Sequence, residues 1–295
     1  MATNKEIQDR MNGIRDTLKI TNAMYLISSS KLRKARKNWQ AVSDYFNTIQ
    51  TTITDILGHM PDMEHMYLDP LQPTEYKHKR RAYIVITADK GLAGAYNLNV
   101  LKLAEDALSH HPDAKLFVIG EIGRHYFAEK HTKIVKDFLY SSQNPSLQRA
   151  RSITAEVLEQ FYAGEVEEVH LIYTKMKNAL QSEAVKMKLL PLPRVIPDKT
   201  TGNPNMKESF FPDAKSVFGQ VAPISTQGII FSALIESYCA ELNDRMTAMD
   251  GASKSAKEML DELRLQYNRR RQYSITQEIT EVCAGSRAQK NKKTS

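Results

Sequence analysis

Residues 7–56 read IQDRMNGIRDTLKITNAMYLISSSKLRKARKNWQAVSDYFNTIQTTITDI, and the spacing within them decides the fold. Alternate steps of four and three from Ile7 land on Met11, Ile14, Leu18, Thr21, Tyr25, Ser28, Leu32, Ala35, Trp39, Val42, Phe46, Ile49, Ile53 and Ile56. This is a heptad seam about seven heptads long. Its ends are bulky, and its middle is small and polar at Thr21, Ser28 and Ala35. A helix from Lys5 to Leu57, capped by Thr3 or Asn4 and ending near Gly58, would be roughly 80 Å long. No small globule buries one narrow stripe of that length, so a partner helix is required.

The partner lies at the other end of the chain. After Pro223 there is no proline, and Ile235, Tyr238, Leu242, Met249, Ala252, Ala256, Met259 and Leu263 follow the same spacing. The stripe then shifts to Ile275, Ile279 and Val282. A helix from Ile224 to Ala284 would be roughly 90 Å long. The two terminal helices are therefore expected to pair as one antiparallel coiled coil. Folding both onto the central domain as a bundle fits less well, because the heptads run too far without a break.

Between the helices the period changes. Tyr83–Thr87, Leu116–Ile119 and Val169–Tyr173 read as buried strands, Ala184–Leu190 as one more, and Lys133–Leu139 as a weaker candidate. Helical patterns cover Tyr96–Ser109, Glu121–Lys130 and Ser146–Tyr162. Alternating strands and helices predict an α/β head domain with a largely parallel, Rossmann-like sheet. The resulting plan is an N-terminal coiled-coil helix (1–60), the α/β domain (76–195), a linker rich in Pro, Asn, Lys and Asp (196–223), a C-terminal coiled-coil helix (224–288) and a basic tail (289–295).

The formal charge of +7 predicts an acidic partner: nucleic acid, an anionic membrane face or an acidic protein surface. Two cysteines, Cys239 and Cys283, form neither a disulfide framework nor a zinc motif. The first ten residues lack an apolar signal core. No run approaches the roughly 18 apolar residues of a membrane span. The chain is expected to be soluble or peripheral to a membrane.

Chemistry is harder to find. Asp89-Lys90-Gly91-Leu92-Ala93-Gly94 follows the first strand, but it is neither GxGxxG nor a GxxxxGK[ST] phosphate loop. It reads as a tight turn in which Asp89 bonds nearby backbone amides. His110-His111 lacks metal-ligand spacing, and no GxSxG elbow occurs. The strongest chemical feature is charge. Lys31, Arg33, Lys34, Arg36 and Lys37 crowd the first helix, and Arg269, Arg270 and Arg271 the last. Such runs are often only a solvated face. Without clear aromatic platforms beside them, an acidic protein surface fits better than nucleic acid.

Longer stretches are familiar as text. Ile20-Thr21-Asn22-Ala23-Met24 followed by Ser30-Lys31-Leu32-Arg33-Lys34-Ala35 resembles the N-terminal signature of the gamma subunit of F-type ATP synthases of the bacterial kind. Asp244–Asp250, Leu265–Arg269 and Arg271–Val282 resemble that family's last helix. Asp89–Asn97 and Leu189–Leu192 resemble its centre.

The resemblance implies a central rotor shaft, one copy per complex, inside a ring of three alpha and three beta subunits (the alpha3beta3 hexamer). Its head would grip the epsilon subunit and the membrane c-ring. Proton-driven rotation would couple to ATP synthesis or hydrolysis at the beta subunits. The shaft itself would be no enzyme, need no cofactor or metal, bind no nucleic acid and have no membrane span. It would sit peripherally at the cytoplasmic face of the cell membrane.

By the same resemblance Met24, Lys31, Arg33 and Lys34 would contact the ring. Arg245, Arg271, Gln272 and Thr276 would meet beta or help pack the shaft. Ile279 and Val282 would turn in an apolar collar. Met24 can equally be packing, and Thr276 can simply bond a helix carbonyl. Ala93 stands where the family often has Cys, and no inserted cysteine pair is present. Past Val282 the text departs from the family at Cys283, Arg287, Lys290, Lys292 and Lys293, suggesting a basic disordered tail. The alternatives are a coiled-coil scaffold or adaptor with an α/β head, and an α/β enzyme whose termini dimerise.

Overall fold

The structure is a computed structural model that describes residues 3–70, 79–130, 133–178, 181–194, 210–211 and 213–293. The elements are α1 (Asn4–His59), β1 (Arg81–Ile86), α2 (Tyr96–His110), β2 (Lys115–Ile119), α3 (Glu121–Glu129), α4 (Leu147–Tyr162), β3 (Glu168–Met176), β4 (Ser182–Leu190) and α5 (Ala214–Lys293). They form two compact units: Met1–Ile27 with Met246–Ser295, and Ser28–Arg245.

The first unit is an antiparallel helix pair. A capping box starts α1: the Glu6 amide donates to Thr3 Oγ1 at 3.2 Å, and the Thr3 amide donates to Glu6 Oε2 at 2.7 Å. Ile7 and Met11 pack with Leu260 and Leu263, joined by Ile14, Leu18 and Tyr267. Thr21 meets Ser253 further along. Low numbers on α1 thus face high numbers on α5.

The α5 stripe differs from the expected one by a residue. Ser253 and Leu260 are buried, whereas Ala252 and Met259 are exposed. Met249, Ser253, Ala256, Leu260, Leu263 and Tyr267 keep strict steps of four and three. The expected series placed Ala252 in the seam because it is apolar, but Ser253 holds that place through its hydrogen bond to Thr21.

The second unit carries a sheet of order β2-β1-β3-β4. β1 runs parallel to both neighbours, and β4 pairs antiparallel to β3. The direction of β4 follows from its connection, since so short a turn after β3 permits only an antiparallel return. One layer of core joins Tyr83, Val85, Leu116 and Val118 of the sheet to Val100, Leu101 and Ala104 of α2 and Phe127 of α3. Ser146 caps α4 by accepting from the Arg149 amide at 3.2 Å.

Lys133–Leu139, expected as a weak strand, makes one isolated bridge, Ile134 to Leu116. Its buried anchor is Phe138, whose ring lies 5.0 Å from that of Phe117, while Lys133, Lys136 and Asp137 are exposed. One anchored ring among charged neighbours fixes a loop, not a ladder.

α5 begins at Ala214, ten residues before the expected start, and runs through Pro223. Asp213 accepts from the Ser216 amide (2.9 Å) and hydroxyl (2.7 Å), supplying a cap the linker reading overlooked. Proline removes one helical hydrogen bond. Burial of Phe218, Ala222, Thr226 and Ile230 on the same stretch outweighs that loss. The rest of the expected linker, 196–209, lies outside the described residues. At the other end α5 continues through Lys293, so the expected tail is helical as far as it is described.

One window of α5 has the length and mean hydropathy, 1.3, of a membrane span, against the expectation that none would. The apolar side chains Ile230, Phe231, Leu234, Ile235 and Leu242 are core residues of the second unit. In that unit Phe231 lies 6.1 Å from Trp39 and 6.0 Å from Phe46, centroid to centroid. Phe46 in turn sits on Gly228, where a Cβ would fall 2.3 Å from its ring.

Candidate functional site

In an open α/β sheet, ligands bind in the crevice outside the carboxyl ends of the parallel strands. Here α5 side chains fill that region. Ser237 Oγ accepts from the Thr174 amide at 3.1 Å, at the end of β3. The Arg245 guanidinium donates to the carbonyls of Lys90 and Gly91, both at 3.0 Å, in the loop after β1. It also pairs with Glu241 at 2.7 Å, and Glu241 accepts from Gln143 at 3.3 Å. Burial pushes the Glu241 carboxyl upward, and Arg245 opposes that shift. Asp89 accepts from the Glu121 amide at 3.1 Å and from the Ser141 hydroxyl, as a turn-forming aspartate should. The loop is thus braced from three sides by the chain's own groups. Among the described residues no cluster of His, Cys, Asp and Glu could hold a metal ion.

The residues singled out by resemblance separate into groups. Lys31, Arg33 and Lys34 are exposed on α1 around the buried Leu32 and Ala35, and none forms an ion pair among the described residues. Met24 is half-buried. Arg245 differs from the other residues singled out: it is 6% exposed and engaged inside the chain through the Lys90 and Gly91 carbonyls.

Arg271, Gln272 and Thr276 are exposed on α5. Thr276 donates to the Gln272 carbonyl at 2.9 Å. Ile279 and Val282 are 58% and 72% exposed, in company with Tyr273 and Ile275. Tyr267 is the last α5 side chain packed on the apolar cluster of the helix pair, so these four lie beyond its reach.

Two groups escaped the sequence reading. Ile20, Leu26 and Ile27 are exposed apolar residues of α1, visible in principle as hydrophobes off the heptad seam. Leu92 is 64% exposed with φ of 64°, in the left-handed region that bulky residues rarely enter. Nothing in its sequence context marks that conformation except the flanking Gly91 and Gly94.

Residues 3–288 match a protein-family model described as ATP synthase. The chain is 40% identical to the ATP synthase gamma chain of Ruminiclostridium cellulolyticum, covering 98% of this chain and 99% of that one. It is 39% identical to the gamma chain of Acetivibrio thermocellus, covering 98% and 100%. A sodium-ion-specific ATP synthase gamma chain of Acetobacterium woodii is 35% identical, covering 98% and 99%. Among solved structures, a chain of the central stalk and c-ring of Tetrahymena thermophila mitochondrial ATP synthase superposes with a TM-score of 0.58 at 22% identity, covering 79% of this chain and 99% of that one. A chain of the Euglena gracilis mitochondrial enzyme gives 0.55 at 16%, covering 93% and 97%. At these identities the structural likeness speaks for the fold, while the curated relatives speak for descent: this chain belongs to the ATP synthase gamma-chain family.

Proposed function

We propose that the chain is the non-catalytic central shaft of an F-type ATP synthase at the cytoplasmic face of a bacterial membrane, one copy per complex. Its partners would be an alpha3beta3 ring, an epsilon subunit and a membrane c-ring. The observation that carries this reading is the end of α5, where Tyr273, Ile275, Ile279 and Val282 stand exposed beyond the paired part of the helix. A protein working alone gains nothing from such a surface. A shaft tip turning inside an apolar bearing requires one.

The cations Lys31, Arg33 and Lys34, together with Arg271, suit contacts that must form and break as the shaft turns. Exposed ion pairs contribute only about 0–1 kcal/mol each, so no rotational position becomes a trap. Non-catalytic character is supported by the crevice after β1 and β3, which is occupied by Ser237, Glu241 and Arg245.

The test is co-purification. Tagged at its N-terminus and expressed with its companion subunits, the chain should bring down an ATPase containing alpha and beta in equal number and one copy of itself. Recovery alone or as a homo-oligomer, without ATPase activity, would overturn the reading.

A further inference from the structure

Where the chain leaves α1 it folds into a tight segment, residues 63–69, that packs against the first turns of α5. Met63, Tyr67 and Leu68 are its buried side chains. Its backbone is tied to the chain after β4: the Leu192 amide donates to the Tyr67 carbonyl at 2.6 Å, and the Asp69 amide to the Leu192 carbonyl at 3.1 Å. The Arg194 guanidinium spans the segment, donating to the carbonyls of Pro61 (2.9 Å), Met63 (3.0 Å) and Asp69 (2.7 Å). Toward α5 the contact runs through His65.

The His65 ring is boxed by aromatics. It stacks on Tyr67, with centroids 5.6 Å apart and planes at 11°, and stands nearly perpendicular to Phe218 of α5 at 5.1 Å. Its Nε2 edge faces α5 at Gly219, where a Cβ would lie 3.4 Å away. Nδ1 accepts from the Tyr67 amide at 3.3 Å. A ring nitrogen that accepts carries no proton, so this imidazole is neutral and its hydrogen sits on Nε2. Tyr67 in turn stacks on Phe161 of α4, and its hydroxyl bonds that of Tyr162.

The ring lines an open cavity of about 1040 Å³, so a proton can reach it. Charged groups face that cavity from every element around it. Glu64 and Asp69 lie in the segment itself, Arg80 and Glu167 just before β1 and β3, Arg194 after β4 and Lys215 on α5. Arg80 pairs with Glu167 at 3.1 Å, Asp69 pairs with Lys188, and Arg194 is engaged by carbonyls. Glu64 is exposed. Burial, and after it the Lys215 charge, hold the ring below its ordinary 6.5.

We propose that His65 is a proton-operated latch: neutral, it fastens residues 63–69 to the first turns of α5, and protonated, it releases them. A proton arriving at Nδ1 turns that nitrogen into a donor. The Tyr67 amide loses its acceptor, and two N–H groups then face each other. The new cation is repelled by Lys215 and confined among Tyr67, Phe218 and Gly219, away from full hydration. Opening restores the ring's ordinary affinity for the proton. The closed form therefore binds fewer protons than the open one, and the latch weakens as pH falls through about 6.5. The device belongs to the second unit itself and holds whether or not the shaft reading does.

The test is backbone hydrogen exchange of the purified full chain from about pH 7.5 to about pH 5.5, corrected for the intrinsic exchange rate. Protection of residues 63–69 and 214–219 should fall about fivefold over that range in the parent. His65→Asn keeps an acceptor near the Nδ1 position and takes up no proton, so its protection should stay flat. Lys215→Met leaves the latch contacts in place and eases protonation of the closed ring, so its fall should be smaller than the parent's. Constant protection in the parent overturns the proposal. So does a fall in His65→Asn as large as the parent's, which would assign the acid response to the surrounding carboxylates. Should His65→Asn not fold, Lys215→Met decides alone, and a fall equal to the parent's overturns the latch.

Discussion

The hydroxyls of Thr21 and Ser253 meet 2.7 Å apart inside the helix pair, both side chains buried. A polar contact in an apolar seam contributes little net stability, but it disfavours every register that leaves either hydroxyl alone. Thr21→Val strands the Ser253 hydroxyl with only the Asn22 side chain, 3.2 Å away, to bond. The expected loss is about 1 kcal/mol. Thr21→Val with Ser253→Ala should return stability to within about 0.5 kcal/mol of the parent, since matched removal of both partners is nearly neutral. Urea unfolding of the four chains in a double-mutant cycle measures the coupling. Simple additivity would show that the contact does not hold the register.

Much of this architecture was readable before any coordinates. The α1 seam from Ile7 to Ile56 was legible because heptad spacing is set by helix geometry alone. The strands around Tyr83, Leu116 and Val169 were legible because strands buried on both faces are runs of apolar residues. The start of α5 was not. Pro223 reads locally as a breaker, and only the burial of Phe218 and Ala222 around it reverses that reading. Ser253 was missed for a related reason: a polar residue belongs in a seam only when its partner, 232 residues away, is known. At the candidate site, the exposed cations Lys31 and Lys34 were visible in the text. The inward turn of Arg245 was not, because its acceptors Lys90 and Gly91 are distant in sequence.

Gly228 lets α1 and α5 approach each other closely in the second unit. A Cβ there would lie 2.3 Å from Phe46 Cδ1 and 2.8 Å from Cε1, with Phe46 itself packed on Phe231. The ring cannot retreat freely, so Gly228→Ala should destabilise by about 1–3 kcal/mol despite the better helix propensity of alanine. Gly251 is the control. It is helical and exposed, with open space where a Cβ would go. Gly251→Ala should stabilise by up to about 1 kcal/mol. Thermal melts of the two variants should therefore move in opposite directions, and a shared direction would contradict the packing argument at Phe46.

Glu168 lies beside Arg81 in the parallel register of β1 and β3, with Arg81 Nε 2.6 Å from its carboxylate. Lys79 and Lys188 lie 3.6 Å away, and His170 Nε2 3.4 Å. Burial alone would raise this carboxyl. Hydrogen bonds from Arg81 and His170, with the charges of Arg81 and Lys79, outweigh it and hold the group at about 2. The unfolded chain protonates at its ordinary value, 4.5. Between those values the unfolded state binds more protons, so stability falls as pH falls. The contribution should be complete above about pH 5, of order 2–3 kcal/mol, and lost on approach to pH 2. Glu168→Gln should flatten this part of the curve. Urea midpoints between pH 7 and pH 3 decide, and an unchanged slope in the variant would move the acid sensitivity to other groups.

The basic face of α1 carries the most direct functional prediction. Lys34 is exposed and unpaired among the described residues, one helical turn from Lys31. Reversal of one such charge should leave the fold alone, because surface substitutions of this kind usually change stability by less than about 0.5 kcal/mol. In the shaft reading the partner surface is acidic, so Lys34→Asp replaces an attraction with a repulsion once per contact. ATP hydrolysis should persist while ions pumped per ATP fall, and the deficit should shrink as salt rises, since the Debye length contracts from about 10 Å at 0.1 M to about 3 Å at 1 M. Lys34→Gln should give a smaller deficit of the same sign. A pumping ratio equal to the parent at low salt in both variants would identify Lys31–Lys37 as a solvated helix face with no part in coupling.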